Sequence, residues 1–212
     1  MKLLAIESSA EMLSLAVFED GVFELELSEK AAMRQNESLA PLVEKILRES
    51  GWKASDLNAV AVSLGPGSFT GLRTGLAFAK GLCFATGALM IGVPTLEAWA
   101  DGTAQAEVWL DARRGMVYRG VYEGGASLAE PRMLPLEEAK AELRPGFTIL
   151  GDIAEPKGSA SAIRVGRLAL KRLAKGDTDP ADAIEPIYLR RPEAEILWEK
   201  HHPGKPDGRL AT

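Results

Sequence analysis

The chain has 212 residues, of which 46% are hydrophobic, and its 30 acidic and 25 basic side chains give a net charge of −5. A single cysteine, Cys83, excludes an internal disulfide framework and is typical of a reducing compartment. No apolar run reaches the roughly 18 residues of a membrane span and no secretory leader precedes Glu7, so we expect a cytoplasmic globular protein. The negative net charge argues against nucleic-acid binding by the bulk field of the chain.

The first part of the sequence predicts a strand, a hairpin and a helix. The opening strand covers Leu3–Ile6, and alternating apolar and polar residues on both sides of Asp20-Gly21 indicate a hairpin with strands at 13–18 and 22–27. A helix with one apolar stripe follows over Ser38–Ser50. The elements predicted next are a strand at 59–63, a long apolar helix at 71–88, a strand at 89–93 and a short helix ending near Trp99.

The second part repeats this outline without a repeat at the level of residues. It predicts strands at 108–111 and 116–122 around a turn at 112–115, then a helix at 136–143, a strand at 147–150 and a helix at 159–175. A Pro-rich end follows, in which 186–190 is the one ordered segment expected. We therefore divide the chain into a first lobe at 1–101, a smaller second lobe at 102–190 and a C-terminal tail at 191–212.

The most distinctive stretch joins the strand at 59–63 to the long helix, and it reads Leu64-Gly65-Pro66-Gly67-Ser68-Phe69-Thr70-Gly71-Leu72-Arg73. A Gly-rich turn before a helix N-terminus exposes amide donors that suit a phosphate. Alternatively, the glycines make a tight connection, and the small residues spaced four apart in the helix allow another helix to come close. The second interpretation is favoured because no Gly-Lys-Ser/Thr of a Walker loop follows.

Three further stretches complete a pattern with this one: Leu4-Ala5-Ile6-Glu7-Ser8-Ser9, Asp111-Ala112-Arg113-Arg114-Gly115-Met116-Val117-Tyr118, and Pro186-Ile187-Tyr188-Leu189-Arg190. In order and spacing the four stretches resemble the TsaB (YeaZ) family, a subunit of the bacterial machinery for tRNA threonylcarbamoyladenosine. The resemblance spans about positions 4 to 190. Glu7-Ser8-Ser9 departs from the Asp-Thr-Ser that is usual in this family.

The resemblance implies an α/β actin-like ATPase fold (ASKHA, of the Hsp70 and sugar-kinase type), with two lobes of mixed sheet flanked by helices and a shortened second lobe. It implies pairing with TsaD, which holds the active site, ATP and metal, and recruitment of TsaE. The complex transfers threonylcarbamoyl from threonylcarbamoyl-adenylate to the adenosine next to the anticodon of tRNAs that read ANN codons.

For this chain the resemblance implies a non-catalytic subunit without a cofactor of its own. It would reach tRNA through the complex and form a homodimer when TsaD is absent, and its tail would pack on the first lobe. Two alternatives stay open: a small nucleotide-dependent phosphotransferase of the same fold, and a homodimeric binding module.

The two first-lobe helices are expected to supply the partner surface, because one sheet covers only one side of a helix that is apolar nearly all round. We expect Gly75→Arg or Ala79→Glu to block pairing and leave the fold intact. The predicted contact residues are Gly71, Leu72, Gly75, Leu76, Ala79, Cys83, Leu39, Leu42, Val43 and Ile46.

No metal site is expected. Metal-dependent relatives carry His-x-x-x-His at the start of the first helix, where this chain has Arg-Gln-Asn-Glu-Ser at 34–38. The two histidines, His201 and His202, are neighbours in the tail and would point to different sides.

A nucleotide pocket is expected to be degenerate, because no glycine follows Glu7 in the first hairpin. The second hairpin has two arginines in its turn, which suit a phosphate or a partner's carboxylate, or simply form a solvated tip. The candidate anion or nucleotide contacts are Glu7, Ser8, Gly67, Ser68, Asp111, Arg113 and Arg114.

Overall fold

The computed structural model describes residues 1–31, 35–155 and 157–190. The predictions for the tail at 191–212, including its histidines and its packing on the first lobe, lie outside these residues, as does Arg34. The first lobe contains β1 (Lys2–Glu7), β2 (Met12–Glu19), β3 (Val22–Lys30), α1 (Gln35–Glu49), a 3₁₀ turn (Ala54–Asp56), β4 (Ala59–Gly65), α2 (Phe69–Thr86), β5 (Leu89–Pro94) and α3 (Thr95–Ala100).

The second lobe contains β6 (Gln105–Asp111), β7 (Met116–Glu123), β8 (Ala126–Ser127), β9 (Arg132–Pro135), α4 (Leu136–Ala141) and β10 (Thr148–Leu150), and α5 (Ala162–Leu173) follows. Both predicted hairpins and all five predicted helices are confirmed. The short strands β8 and β9 were not predicted, because each has too few residues to show an alternating pattern.

The first sheet has the strand order β3-β2-β1-β4-β5, with β1 antiparallel to β2 and parallel to β4. Its central strands are covered on both faces, as their almost uniformly apolar sequences require. Alternate residues of β1 therefore enter different cores: Leu4 and Ile6 pack with α1 and α2, whereas Leu3 and Ala5 pack with α5.

The second sheet has the order β10-β6-β7-β8, with β9 paired to the other part of β7. The predicted fold class is thus confirmed: two mixed sheets are flanked by helices, and the second is the smaller unit. No helix in the described residues is long and apolar enough to cross a membrane.

Helix α5 does not follow the predicted boundary between the lobes at 101 and 102. It comes after the second sheet in the chain but packs on the first sheet through Ala162, Val165 and Ala169. Gly166 permits this close approach, because a Cβ there would lie 2.1 Å from Cε2 of Phe18. The C-terminal part of the second predicted lobe therefore completes the core of the first.

The segment at 184–190 runs from the first lobe to the second. Ile184 belongs to the core beneath α1 and α2, and the Ile187 N–H donates to the Leu64 carbonyl (2.7 Å). At the other end Arg190 Nη1 donates to the Ala112 carbonyl (3.3 Å), in the turn between β6 and β7. This segment therefore connects the distinctive loop of the first lobe to the arginine-bearing turn of the second.

Candidate functional site

The distinctive stretch forms the junction between β4 and α2. Ser68 is the N-cap of α2, and its Oγ accepts a hydrogen bond from the Gly71 N–H (3.3 Å). The Ser68 N–H donates to the Ser9 carbonyl in the β1–β2 turn (2.7 Å). The Ser68 and Gly71 amide donors of this helix start are therefore already engaged within the chain.

Three glycines let α2 lie directly on the β1–β2 turn. A Cβ on Gly67 would lie 2.4 Å from the Ser9 carbonyl oxygen, and one on Gly71 would lie 2.1 Å from that of Ser8. A Cβ on Gly75 would lie 2.1 Å from Ser8 Oγ. These glycines thus serve close packing, but against a turn and a sheet rather than against another helix.

The acidic residue of the first hairpin, Glu7, is buried, and its Oε1 accepts the Ser9 N–H at 2.6 Å. Burial raises the pKa of Glu7 above its ordinary value, although hydrogen bonds from Ser9 and Ser63 oppose the rise. The carboxyl group stabilises the turn and has no access to an outside anion.

The actin-like fold implies a nucleotide between the lobes, and the first hairpin does not fit one. A phosphate would have to approach the turn where Ser8 and Ser9 present carbonyl oxygens to the α2 glycines, next to the buried Glu7 carboxyl. The prediction that Glu7 and Ser8 contact an anion is therefore wrong, because both are buried, whereas for the half-buried Gly67 and Ser68 it stays a prediction.

The other three candidate anion contacts lie in the exposed β6–β7 turn. Arg113 and Arg114 both have positive φ, +67° and +55°, in a turn where Asn and Gly are usual. Asp111 stabilises the turn, since its Oδ1 accepts the Arg113 N–H (2.7 Å) and its Oδ2 lies 3.3 Å from Arg113 Nη1. That the two arginines contact an anion stays a prediction, whereas Asp111 holds the turn.

The described residues contain no group of three or more His, Cys, Asp or Glu side chains that could hold a metal ion. Cys83 is a buried thiol whose pKa burial raises to about 11, so it is a poor nucleophile and a poor metal ligand at neutral pH.

The ten residues predicted to contact a partner are all buried within the chain. The four from α1 and the six from α2 pack against the first sheet and against each other. Gly75→Arg and Ala79→Glu would therefore place a charge in the core, and the prediction that they spare the fold is wrong. The face that was assigned to the partner is the inward one, and the role of these two helices in pairing stays a prediction.

The outward side of the same helices forms what we call the α1–α2 surface. Phe84 is 93% exposed there, and beside it small and apolar residues of α2 face solvent or are half-buried. A groove of about 590 Å³ lies between α1, α2 and the 3₁₀ turn, with Leu47, Trp52 and Phe78 in its wall. The α1–α2 surface comprises Ala40, Glu44, Arg48, Phe78, Gly81, Leu82, Phe84 and Ala85.

A family model described as TsaD, tRNA N6-adenosine threonylcarbamoyltransferase, matches residues 27–134. The chain is 30% identical to the tRNA threonylcarbamoyladenosine biosynthesis protein TsaB of Escherichia coli (strain K12). The alignment runs over 237 residues and covers 97% of this chain and 100% of that protein. The chain belongs to the TsaB family. The protein of the same description from Haemophilus influenzae is 28% identical, over 94% of this chain and 97% of its own.

A solved structure from Pseudomonas aeruginosa, described as an uncharacterized protein with similarity to peptidase YeaZ, superposes with a TM-score of 0.78. It is 26% identical to this chain and covers 89% of it, and 99% of that protein is matched. The two-lobed actin-like fold implied by the TsaB (YeaZ) resemblance is therefore the fold of this chain.

The TsaB signature also carries an exposed aromatic residue that the predictions passed over. Phe69 packs against Tyr188 with ring centroids 5.2 Å apart, and the Arg73 guanidinium carbon lies 4.7 Å from the Phe69 ring centroid. Phe69 stands between two polar residues at a helix start, which was a signal that it faces outward. Nothing in the sequence connects it to Tyr188.

Proposed function

We propose that this chain is a non-catalytic subunit in the biosynthesis of threonylcarbamoyladenosine in tRNA. It pairs with TsaD, which together with TsaE completes the transfer of threonylcarbamoyl from threonylcarbamoyl-adenylate to the adenosine next to the anticodon of tRNAs reading ANN codons. Membership of the TsaB family and the match to a TsaD model support this assignment.

The observation that carries the proposal is the exposure of Phe84 on the α1–α2 surface. Burying a phenylalanine side chain stabilises a complex by about 1.5–3 kcal/mol. Phe84 adjoins the small exposed residues Gly81 and Ala85, which allow the backbone of a partner helix to come close. Glu44 and Arg48, 3.8 Å apart, give this surface a polar rim.

The chemistry belongs to the partner in this proposal. ATP and metal are bound by TsaD, and this chain contributes a surface that supports the partner's site. A second copy of the chain presents the same surface, so a homodimer forms when TsaD is absent and gives way to the heterodimer when it is present.

The test is capture of TsaD from the same organism by the purified chain and by Phe84→Glu. We expect the variant to bind at least about tenfold more weakly, because it loses apolar burial and adds a carboxylate to desolvate. Leu143→Glu is the matched control, since Leu143 is 43% exposed on the second lobe, outside the α1–α2 surface.

Equal capture of TsaD by Phe84→Glu and by Leu143→Glu would refute the assignment of this surface. Light scattering of both variants without TsaD tests the homodimer in the same way. The phosphotransferase alternative predicts saturable ATP binding by the isolated chain, which calorimetry detects, and the poor fit of the first hairpin to a phosphate argues against it.

A further inference from the structure

The start of α2 and the segment at 184–190 together present an exposed aromatic pair. Phe69 is 46% exposed and Tyr188 is 40% exposed, and their ring planes are inclined by 31°. Arg73, one turn further along α2, is exposed and lies over the Phe69 ring. We call these three side chains the aromatic–arginine cluster.

The cluster is held by rigid neighbours. Phe69 is the first residue of α2, directly after the N-cap, and α2 is fixed on the β1–β2 turn by the glycine contacts. Tyr188 follows Ile187, whose N–H is hydrogen-bonded to Leu64 and whose carbonyl oxygen would lie 2.6 Å from a Cβ on Gly65. The rings are therefore pre-organised, and a ligand that stacks on them does not have to order them first.

Arginines lie on this cluster and in a turn that is tied to it. Arg73 lies over the Phe69 ring, and the turn carrying Arg113 and Arg114 is linked to the segment of Tyr188, because Arg190 donates to the Ala112 carbonyl. Two extended residues span at most about 7 Å, so the separation of Tyr188 from this turn is limited to that length plus the length of the Arg190 side chain. Asp111 offsets part of the charge of Arg113, at 3.3 Å.

We propose that the aromatic–arginine cluster stacks an unpaired nucleobase of RNA while Arg73, Arg113 and Arg114 contact the adjoining phosphates. Aromatic rings beside arginines are the side chains that hold single-stranded nucleotides, through stacking and charge. One arginine on the rings and two more on a separate turn suit a run of successive phosphates better than the phosphates of one mononucleotide. This inference rests on the proposed function, in which tRNA is the substrate of the complex.

The cluster is separate from the α1–α2 surface. Phe69 and Phe84 lie near opposite ends of α2, about 22 Å apart at about 1.5 Å per residue. One subunit can therefore bind TsaD through the end near Phe84 and an RNA loop through the end near Phe69. Because the chain has a net charge of −5, this RNA contact must be local and sensitive to salt.

The test measures fluorescence anisotropy of a labelled RNA stem-loop with an unpaired loop, with the isolated chain and with its complex with TsaD. We expect Tyr188→Leu to weaken RNA binding about tenfold and Tyr188→Phe to leave it unchanged, because both variants keep an apolar side chain but only the second keeps a ring. Arg73→Gln should lower the slope of log affinity against log salt by about 0.7. Phe23→Ala, an exposed aromatic of β3, is the control and should bind RNA as the parent chain does.

The proposal is overturned if Tyr188→Leu and Tyr188→Phe bind RNA equally well, or if neither the chain nor the complex binds the stem-loop. Competition by AMP as strong as that by unlabelled stem-loop would assign the cluster to a free nucleotide instead. Loss of TsaD capture by Tyr188→Leu with unchanged RNA affinity would make the cluster a protein contact. None of these results decides the proposed function, because the test of that function measures TsaD capture by the Phe84→Glu variant alone.

Discussion

Gly75 offers the most direct test of how α2 is seated. Its missing side chain leaves room for Ser8, because a Cβ at this position would lie 2.1 Å from Ser8 Oγ and 3.1 Å from Ser8 Cβ. Ordinary contacts to a Cβ begin near 3.4 Å, so Ser8 would have to move by more than an ångström. Ser8 is fully buried and its N–H donates to Ser63 Oγ (3.2 Å), so it has little room to move.

The expected effect of Gly75→Ala combines two opposite terms. Alanine is favoured over glycine within a helix by about 0.8–1 kcal/mol, whereas overpacking a core costs about 1–3 kcal/mol. A contact as short as this belongs at the upper end of that range, so we expect a net loss of about 2 kcal/mol in the free energy of unfolding. Gly75→Arg should not fold at all.

Urea unfolding measures this effect, and the same helix supplies the matched control. Gly81 has no atom within 4 Å of its virtual Cβ, so Gly81→Ala should gain roughly 0.4–1 kcal/mol from the helix and the unfolded chain. Unfolding at two protein concentrations separates any contribution from dimerisation.

Ser8→Ala provides the second arm of a double-mutant cycle. It removes an Oγ that is buried without a hydrogen-bond partner among the described residues, and it should restore at least about 1 kcal/mol to Gly75→Ala. The reasoning fails if Gly75→Ala is as stable as Gly81→Ala, or if Ser8→Ala restores nothing.

Two further predictions concern the hairpin turns. Arg114→Gly should raise the free energy of unfolding by about 0.5–1 kcal/mol in thermal or urea unfolding, because a non-glycine residue at φ +55° is strained. Arg114→Lys keeps a non-glycine residue there and should not raise it. Equal stability of the two variants would contradict this prediction. The pKa of Glu7 is raised in the folded chain, so folding takes up protons at pH values between the unfolded pKa of 4.5 and the higher folded pKa. The free energy of unfolding of the parent chain, relative to that of Glu7→Gln, should therefore fall as pH rises from 4.5 through the folded pKa. Parallel urea titrations of the two chains across that window check the sign, and a pH-independent difference would refute it.

The sequence by itself determined the helices, the longer strands, the fold class and the family. Alternation in the first hairpin and the uninterrupted apolar run of β4 identify strands, and their order with α1 and α2 indicates a mixed sheet. The stretch from Leu64 to Arg73 is specific enough to suggest the family without a structure. These features can be predicted because they depend on periodicity and motifs within short stretches of neighbouring residues.

Only the tertiary structure decided which side of α2 is the interior. Ala79 and Phe84 are both apolar, so the sequence pattern cannot tell which faces the sheet, yet Ala79 is fully buried and Phe84 is 93% exposed. The choice depends on the glycine contacts with Ser8 and Ser9, which are distant in sequence and invisible to periodicity.

The same reason explains why the aromatic–arginine cluster and the position of α5 could not be predicted. Phe69 meets Tyr188 where the segment at 184–190 crosses between the lobes, and α5 packs on the first sheet where Gly166 leaves space for Phe18. Contacts between residues this far apart along the chain are set by how the elements pack. That packing depends on the shapes of whole surfaces rather than on any one stretch of sequence.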